Sequence, residues 1–342
     1  MGKFHELDIY QRVSRNRLRL ALAFTAAGAV IMAISGVSLF FLYKPAHINI
    51  NFWVLLSLFW LCFAVYVILR FALGGKWVFK RLITLPPWET DHHLRDALVS
   101  VKLASGMAER VRLMVIPDPD INTLSLSLPD GSYALFATQG IADKLPERER
   151  EAIIAHEIAH MQMGDTLIHT LMVRLAGRRA LKKITGRPSI ISEPFAIAIA
   201  VGFAAALAFA LLSMISGLSR PDLSPYSRYI WITILILFIV FAALLPFLMN
   251  KLLQRFLDKE REYYADMQAV YLTRDPDAVY QAIKNSAEDV RDVLLLPACL
   301  DALLFNPVVD YMNYRPFRSQ PTMAERMQRL KEAFPQINSK SH

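Results

Sequence analysis

The chain has 342 residues, 54% of them hydrophobic and only 20% charged, with a net charge of +8 and a mean hydropathy of +0.32. A soluble domain carries about 45–50% apolar and about 25% charged residues, so this balance leans toward a membrane and excludes disorder, collagen and a disulfide scaffold. The only two cysteines, Cys62 and Cys299, cannot form a framework and read as buried thiols.

The apolar excess falls in four charge-free blocks, at 20–43, 50–69, 194–218 and 229–250. Each has at least about 20 residues, which at about 1.5 Å per residue crosses a hydrocarbon core of about 30 Å, so all four read as transmembrane helices. The first is too long for the apolar centre of a signal peptide and lacks a small-residue cleavage pattern, so it reads as a retained anchor. Lys3, Arg12, Arg15, Arg17 and Arg19 precede it, whereas the next loop holds only Lys44. Basic residues return after the second block (Lys76, Lys80, Arg81), before the third (Arg174 to Arg187) and after the fourth (Lys251, Arg255, Lys259, Arg261). The positive-inside rule then puts both termini and the long middle segment in the cytoplasm. The same flanks account for the positive charge and suit anionic headgroups, making the bilayer a partner. Nucleic acid is not expected, because no basic stripe with interleaved aromatics is present. A transporter or channel would carry ionisable groups inside its spans, and these have none.

The chain therefore divides into a basic N-terminus (1–19), a first membrane hairpin (20–73), a polar segment (74–188), a second hairpin (189–250) and a second polar segment (251–342). Within 74–188, residues 90–107 open on Thr90 and Asp91 as candidate caps and space Leu94, Leu98, Val101 and Ala104 along one helix face. Residues 111–116 read as a strand. Residues 122–128 and 132–138 alternate about a Pro-Asp-Gly turn at 129–131, a hairpin signal. After Pro146 a helix runs to about Gly164, burying Ile153, Ile154 and Ile158.

Inside that helix lies His156-Glu157-Ile158-Ala159-His160. The i, i+4 spacing puts both imidazoles on one face, able to bind one Zn²⁺, with Glu157 beside them as a general base. Such a site needs a third protein ligand. Thr166 stands where a metzincin would have its third histidine, which excludes that class. Glu262 on a predicted helix over 251–270 could complete a His₂Glu set, with Asp266 supporting one histidine. The alternative is a solvated acidic ladder of Asp258, Glu262 and Asp266 offset by Arg255, Lys259 and Arg261.

From about residue 90 to 332 the chain resembles the HtpX-type integral-membrane zinc metalloproteases, distant relatives of the prenyl-protein (CAAX) proteases. The resemblance rests on HEIAH followed by Gly164 and Asp165, Glu262 with Ala265 and Asp266, Asn122, Leu304-Phe305-Asn306-Pro307, and Pro321 to Arg326. It implies His156, His160 and Glu262 as ligands of one zinc ion per chain, Glu157 as catalytic base and Asp266 as support. It also implies a mostly α membrane protein, with four transmembrane helices and a gluzincin-type α+β protease domain around a small β-sheet. Gln320 replaces a histidine common in the family and cannot carry its cationic role, and Thr123 and Leu124 alter the small-residue strand after Asn122. The strand containing Asn122, Thr123 and Leu124 is expected to line the site and pair with extended substrate. The function implied is a multi-pass endopeptidase of a bacterial inner membrane, cleaving membrane-associated or misfolded membrane proteins at the cytoplasmic face. The alternatives are a prenyl-protein protease and a scaffold that has lost catalysis. His92 and His93 are expected to be exposed, His169 to serve packing, and Tyr263 and Tyr264 to pack rather than donate to an oxyanion.

Overall fold

The computed structural model describes residues 91–128, 130–176, 260–289, 303–307 and 320–340, with isolated helical positions between 11 and 69. The predicted spans at 194–218 and 229–250 lie outside the described residues, and those at 20–43 and 50–69 are met only at the isolated helical positions. Among the described residues no helix is long and apolar enough to cross a membrane. At those positions Trp53, Leu61 and Ile68 are exposed. Contacts sort the chain into one unit of Met1–Leu20, Gly74–Pro188 and Leu253–His342 and another of Ala21–Leu73 and Ser189–Leu252.

In the first unit, helix α1 (His92–Ser105) starts where Asp91 accepts a bond from the Leu94 N–H and stops at Gly106, whose φ of 63° closes a left-handed cap. Strands β1 (Val111–Ile116), β2 (Thr123–Ser127) and β3 (Tyr133–Thr138) form a sheet in the order β1-β3-β2. The predicted hairpin is present, with Thr123 opposite Ala137 and Ser127 opposite Tyr133, while β1 runs parallel to β3 on its other side. The alternation in β2 splits its side chains: Leu124 and Leu126 are fully buried on one face, and Thr123, Ser125 and Ser127 lie on the other.

Helix α2 (Gln139–Lys144) leads into α3 (Glu147–Gln162), whose Glu147 and Glu149 suit the positive end of the helix dipole. Every residue of α3 from Ala152 to Met161 is buried, so this helix forms the centre of the unit. It packs between α1, β2, α5 (Arg261–Thr273) and α6 (Pro276–Glu288). Leu94, Leu98, Val101, Ile153, Ile154, Ile158, Val279 and Ile283 share one core, each large side chain contributing about 1.5–3 kcal/mol. Gly164, at φ 73°, turns the chain out of α3 into α4 (Asp165–Ala176). Helix α7 (Met323–Ala333) opens with a capping box between Thr322 and Glu325, and a short 3₁₀ helix, Pro335–Lys340, follows it.

Candidate active site

Three polar side chains of α3, His156, Glu157 and His160, sit in its fully buried stretch. Such burial is costly unless each polar atom is bonded, and here each is. His156 Nδ1 donates to Asp266 Oδ1 at 2.9 Å, and His160 Nδ1 donates to Asp165 Oδ2 at 3.0 Å. Glu157 accepts from the Thr123 hydroxyl at 2.7 Å and the Ser125 hydroxyl at 2.6 Å.

With both Nδ1 atoms committed, the Nε2 atoms turn inward and stand 3.0 Å apart. Glu262, in the first turn of α5, brings Oε2 to 3.3 Å from His156 Nε2 and 3.5 Å from His160 Nε2. A tetrahedral Zn²⁺ with bonds of about 2.0–2.1 Å separates its ligand atoms by about 3.3–3.4 Å. The triangle therefore has the size that one such ion requires. The solvated acidic ladder does not hold at the two residues described, since Glu262 and Asp266 are each 2% exposed.

The charges also fit a divalent cation. Glu157, Asp165, Glu262 and Asp266 are buried around the two imidazoles, as are Arg261 and Arg326. Four carboxylates against two guanidinium groups leave two negative charges in excess, which is what a divalent ion supplies. Without an ion, burial disfavours a charged His160, but the Glu262 charge and the Asp165 bond outweigh it and push its pKa up to about 10. Burial likewise disfavours charge on Glu262, yet His160 and the bonds from both histidines hold its carboxyl well below the usual range. Asp266 is held low against its burial by the charge and hydrogen bonds of Arg326.

Several of these partners were not assigned roles from the sequence. Arg326, on α7, donates Nε to Asp266 Oδ2 at 2.9 Å, Nη2 to Asp266 Oδ1 at 2.6 Å and Nη1 to the Phe305 carbonyl at 2.8 Å. Its guanidinium also lies 4.5 Å from the Phe305 ring centroid, and that ring stands edge-on to His156 at 4.9 Å. Arg326 is the fourth residue of α7, and nothing in the local sequence said that it would reach a histidine support. Asp165 belonged to the recognised pattern, and the Gly164 turn is what swings it back onto His160.

Arg261 donates Nε to Glu262 Oε1 at 3.0 Å and Nη1 to His169 Nε2 at 3.0 Å. His169 is thus more than packing: burial and the Arg261 charge hold its pKa well below 6.5, so it accepts as a neutral ring. His92 and His93 are exposed as expected. The Tyr264 hydroxyl donates to Glu260 at 3.1 Å, and the Tyr263 ring lies 5.1 Å from the Arg329 guanidinium.

The strand Asn122–Leu124 does run beside the site, with its parts divided. Thr123 bonds Glu157, whereas Leu124 is fully buried on the opposite face. The Asn122 side chain is tied to the 303–307 segment, donating to the Asn306 carbonyl at 2.6 Å and accepting from its N–H at 3.1 Å. On the strand's outward edge the Thr123 carbonyl accepts the Phe305 N–H at 2.9 Å, and Thr170 on α4 bonds both the N–H and the carbonyl of Ser127. Gln320 is buried.

The chain is similar to several known proteins. A protease HtpX homolog of Listeria monocytogenes serotype 4a is 26% identical over 241 residues, 69% of this chain and 72% of its own. A protease HtpX homolog of Lactobacillus acidophilus is 22% identical over 324 residues, 94% of this chain and 99% of its own. The crystal structure of S. mikatae Ste24p aligns with 92% of this chain and 67% of its own, at a TM-score of 0.39 and 16% identity. Residues 104–334 match the family description peptidase family M48, a stretch that takes in most of both polar segments and every residue of the buried triangle. The chain belongs to peptidase family M48 and is a metallopeptidase.

Proposed function

We propose that this protein is a membrane-anchored zinc endopeptidase of the HtpX type, cleaving membrane-associated or misfolded membrane proteins at the cytoplasmic face. The catalytic part is carried by the convergence of His156 Nε2, His160 Nε2 and Glu262 Oε2 to within 3.5 Å of one another, one residue from Glu157. The membrane part is supported by the charge-free blocks, by their basic flanks and by the exposed Trp53, Leu61 and Ile68. Relatives described as HtpX homologs support the choice of type.

His156, His160 and Glu262 would hold the zinc ion. Bound there, zinc supplies a Lewis acid that lowers the pKa of water from about 15.7 to about 7 and polarises the scissile carbonyl. Asp266 and Asp165 keep both imidazoles in the tautomer that turns Nε2 toward the ion. Glu157 receives the proton of the attacking water at a carboxylate oxygen and returns it to the departing amine. Extended substrate lies along Asn122–Leu124, and its backbone takes the Thr123 carbonyl in exchange for the Phe305 N–H.

The test uses full-length protein in proteoliposomes with an unfolded membrane protein as substrate. Wild type loaded with zinc cleaves, and Glu157→Gln keeps zinc but loses cleavage. Cleavage by purified, zinc-loaded Glu157→Gln overturns the mechanism.

A further inference from the structure

Both carboxylate oxygens of Glu157 are gripped from a single strand. Oε1 accepts from Thr123 Oγ1 at 2.7 Å and Oε2 from Ser125 Oγ at 2.6 Å, the lengths of charge-assisted O–H···O⁻ bonds. The two residues stand two apart on β2, so the pleat presents both hydroxyls to α3 on one face. One donor would fix one oxygen and leave the carboxylate free to rotate about its broad terminal torsion. Two donors, one per oxygen, fix its plane as well.

The mount is itself anchored at both ends. The Asn122 N–H donates to Thr138 Oγ1 at 2.9 Å and its side chain is tied to Asn306, while at the far end Ser127 is bonded through its backbone to Thr170 and through its hydroxyl to Thr166. Each carboxylate oxygen has two lone pairs, so one donor apiece leaves an acceptor position open on both for a proton arriving from water.

We propose that Thr123 and Ser125 are positioning residues of the catalytic base: their paired hydroxyls hold the Glu157 carboxylate in the orientation from which it receives the proton. This rests on the reading of Glu157 as the base. Because the same strand is proposed to carry substrate, substrate and base are held in register by one rigid element. An apolar strand would serve packing against α3 equally well, so a purely structural role predicts no selective effect on turnover.

The experiment compares full-length, zinc-loaded Thr123→Val, Ser125→Ala, the double variant and Thr123→Ser with Glu157→Gln, using an internally quenched peptide that wild type cleaves. Misplacing a catalytic group by about 1 Å costs about 100-fold, so the double variant is expected to lose about 100-fold in kcat and each single variant about 10-fold, with KM within about twofold. Zinc content stays at the wild-type level, and affinity for a hydroxamate inhibitor, whose hydroxyl donates to the base, falls in parallel with kcat. Thr123→Ser, which keeps the hydroxyl, recovers most of the loss seen in Thr123→Val.

A double variant with wild-type kcat, a loss confined to KM, a rise in kcat, or a Thr123→Ser as impaired as Thr123→Val overturns the proposal. If the double variant does not fold, Ser125→Ala and the Thr123→Val and Thr123→Ser pair decide by the same criteria. An active Glu157→Gln overturns the base assignment itself, whereas an inactive Glu157→Gln beside a fully active double variant overturns only the grip.

Discussion

Replacing Arg326 by methionine is expected to weaken metal binding at a distance, through Asp266 and His156. The guanidinium is 1% exposed and gives Asp266 two hydrogen bonds, at 2.9 and 2.6 Å. Methionine fills the stem of the side chain but leaves Asp266 a buried carboxylate without its cation. Removing one partner of a buried ion pair costs about 3–5 kcal/mol, and the metal-free protein should lose stability by that order. Asp266 can relieve the cost only by taking up a proton or retracting, and either weakens the acceptor that orients His156. Loss of such an outer partner lowers metal affinity about 10- to 100-fold. Arg326→Lys keeps the charge but not the planar two-bond grip, so it should fall between wild type and methionine. Asp266→Asn combined with Arg326→Met removes both charges, so it should lose less stability than the two single losses added together. Zinc affinity is read by competition with a chelator, and stability by denaturant unfolding of the metal-free proteins. Arg326→Met binding zinc within twofold of wild type, or strictly additive stability losses, would refute the reasoning.

Metal loading should depend on pH through His160. In the metal-free protein its pKa is raised from 6.5 to about 10, so its contribution to stability is complete below pH 6.5 and is lost as pH rises through about 10. Zinc requires the neutral ring, so between about pH 7 and 9 binding should release one proton and tighten about tenfold per pH unit. Calorimetry in buffers of different ionisation enthalpy measures the proton count, and an affinity flat over that range would contradict it. Gly140 is a separate test of the packing. A Cβ there would lie 2.1 Å from the Pro119 carbonyl oxygen and 2.5 Å from that of Asp120, both backbone atoms, so Gly140→Ala should cost about 3 kcal/mol in denaturant unfolding.

The elements around the site were legible because their signals are local. The alternation of Thr123 to Ser127 about the Asp130-Gly131 turn, the cap at Asp91, and the i, i+4 histidines each act within one turn or one pleat. The parallel pairing of β1 with β3 was not legible, since it depends on how 117–122 crosses the sheet rather than on either strand's own pattern. Spacing alone likewise left Glu262 and Asp266 open between a ligand set and a solvated face, because a helix of mixed polarity can turn either side inward. Packing α5 against α3 removed the solvated face, burying both acids against His156 and His160.

Composition and order along the chain were enough to establish charge-free blocks flanked by basic residues, and a helix with two histidines at i, i+4 and a glutamate between them, lying between the second and third blocks. Hydrophobic length and helical periodicity are properties of consecutive residues. Which acids support which histidines, that Arg326 neutralises Asp266, and that hydroxyls 32 and 34 positions away hold Glu157 emerged only in three dimensions. Those partners are chosen by the cost of burying unpaired charge, and that cost exists only once α3, α5, α7 and β2 have closed around one point.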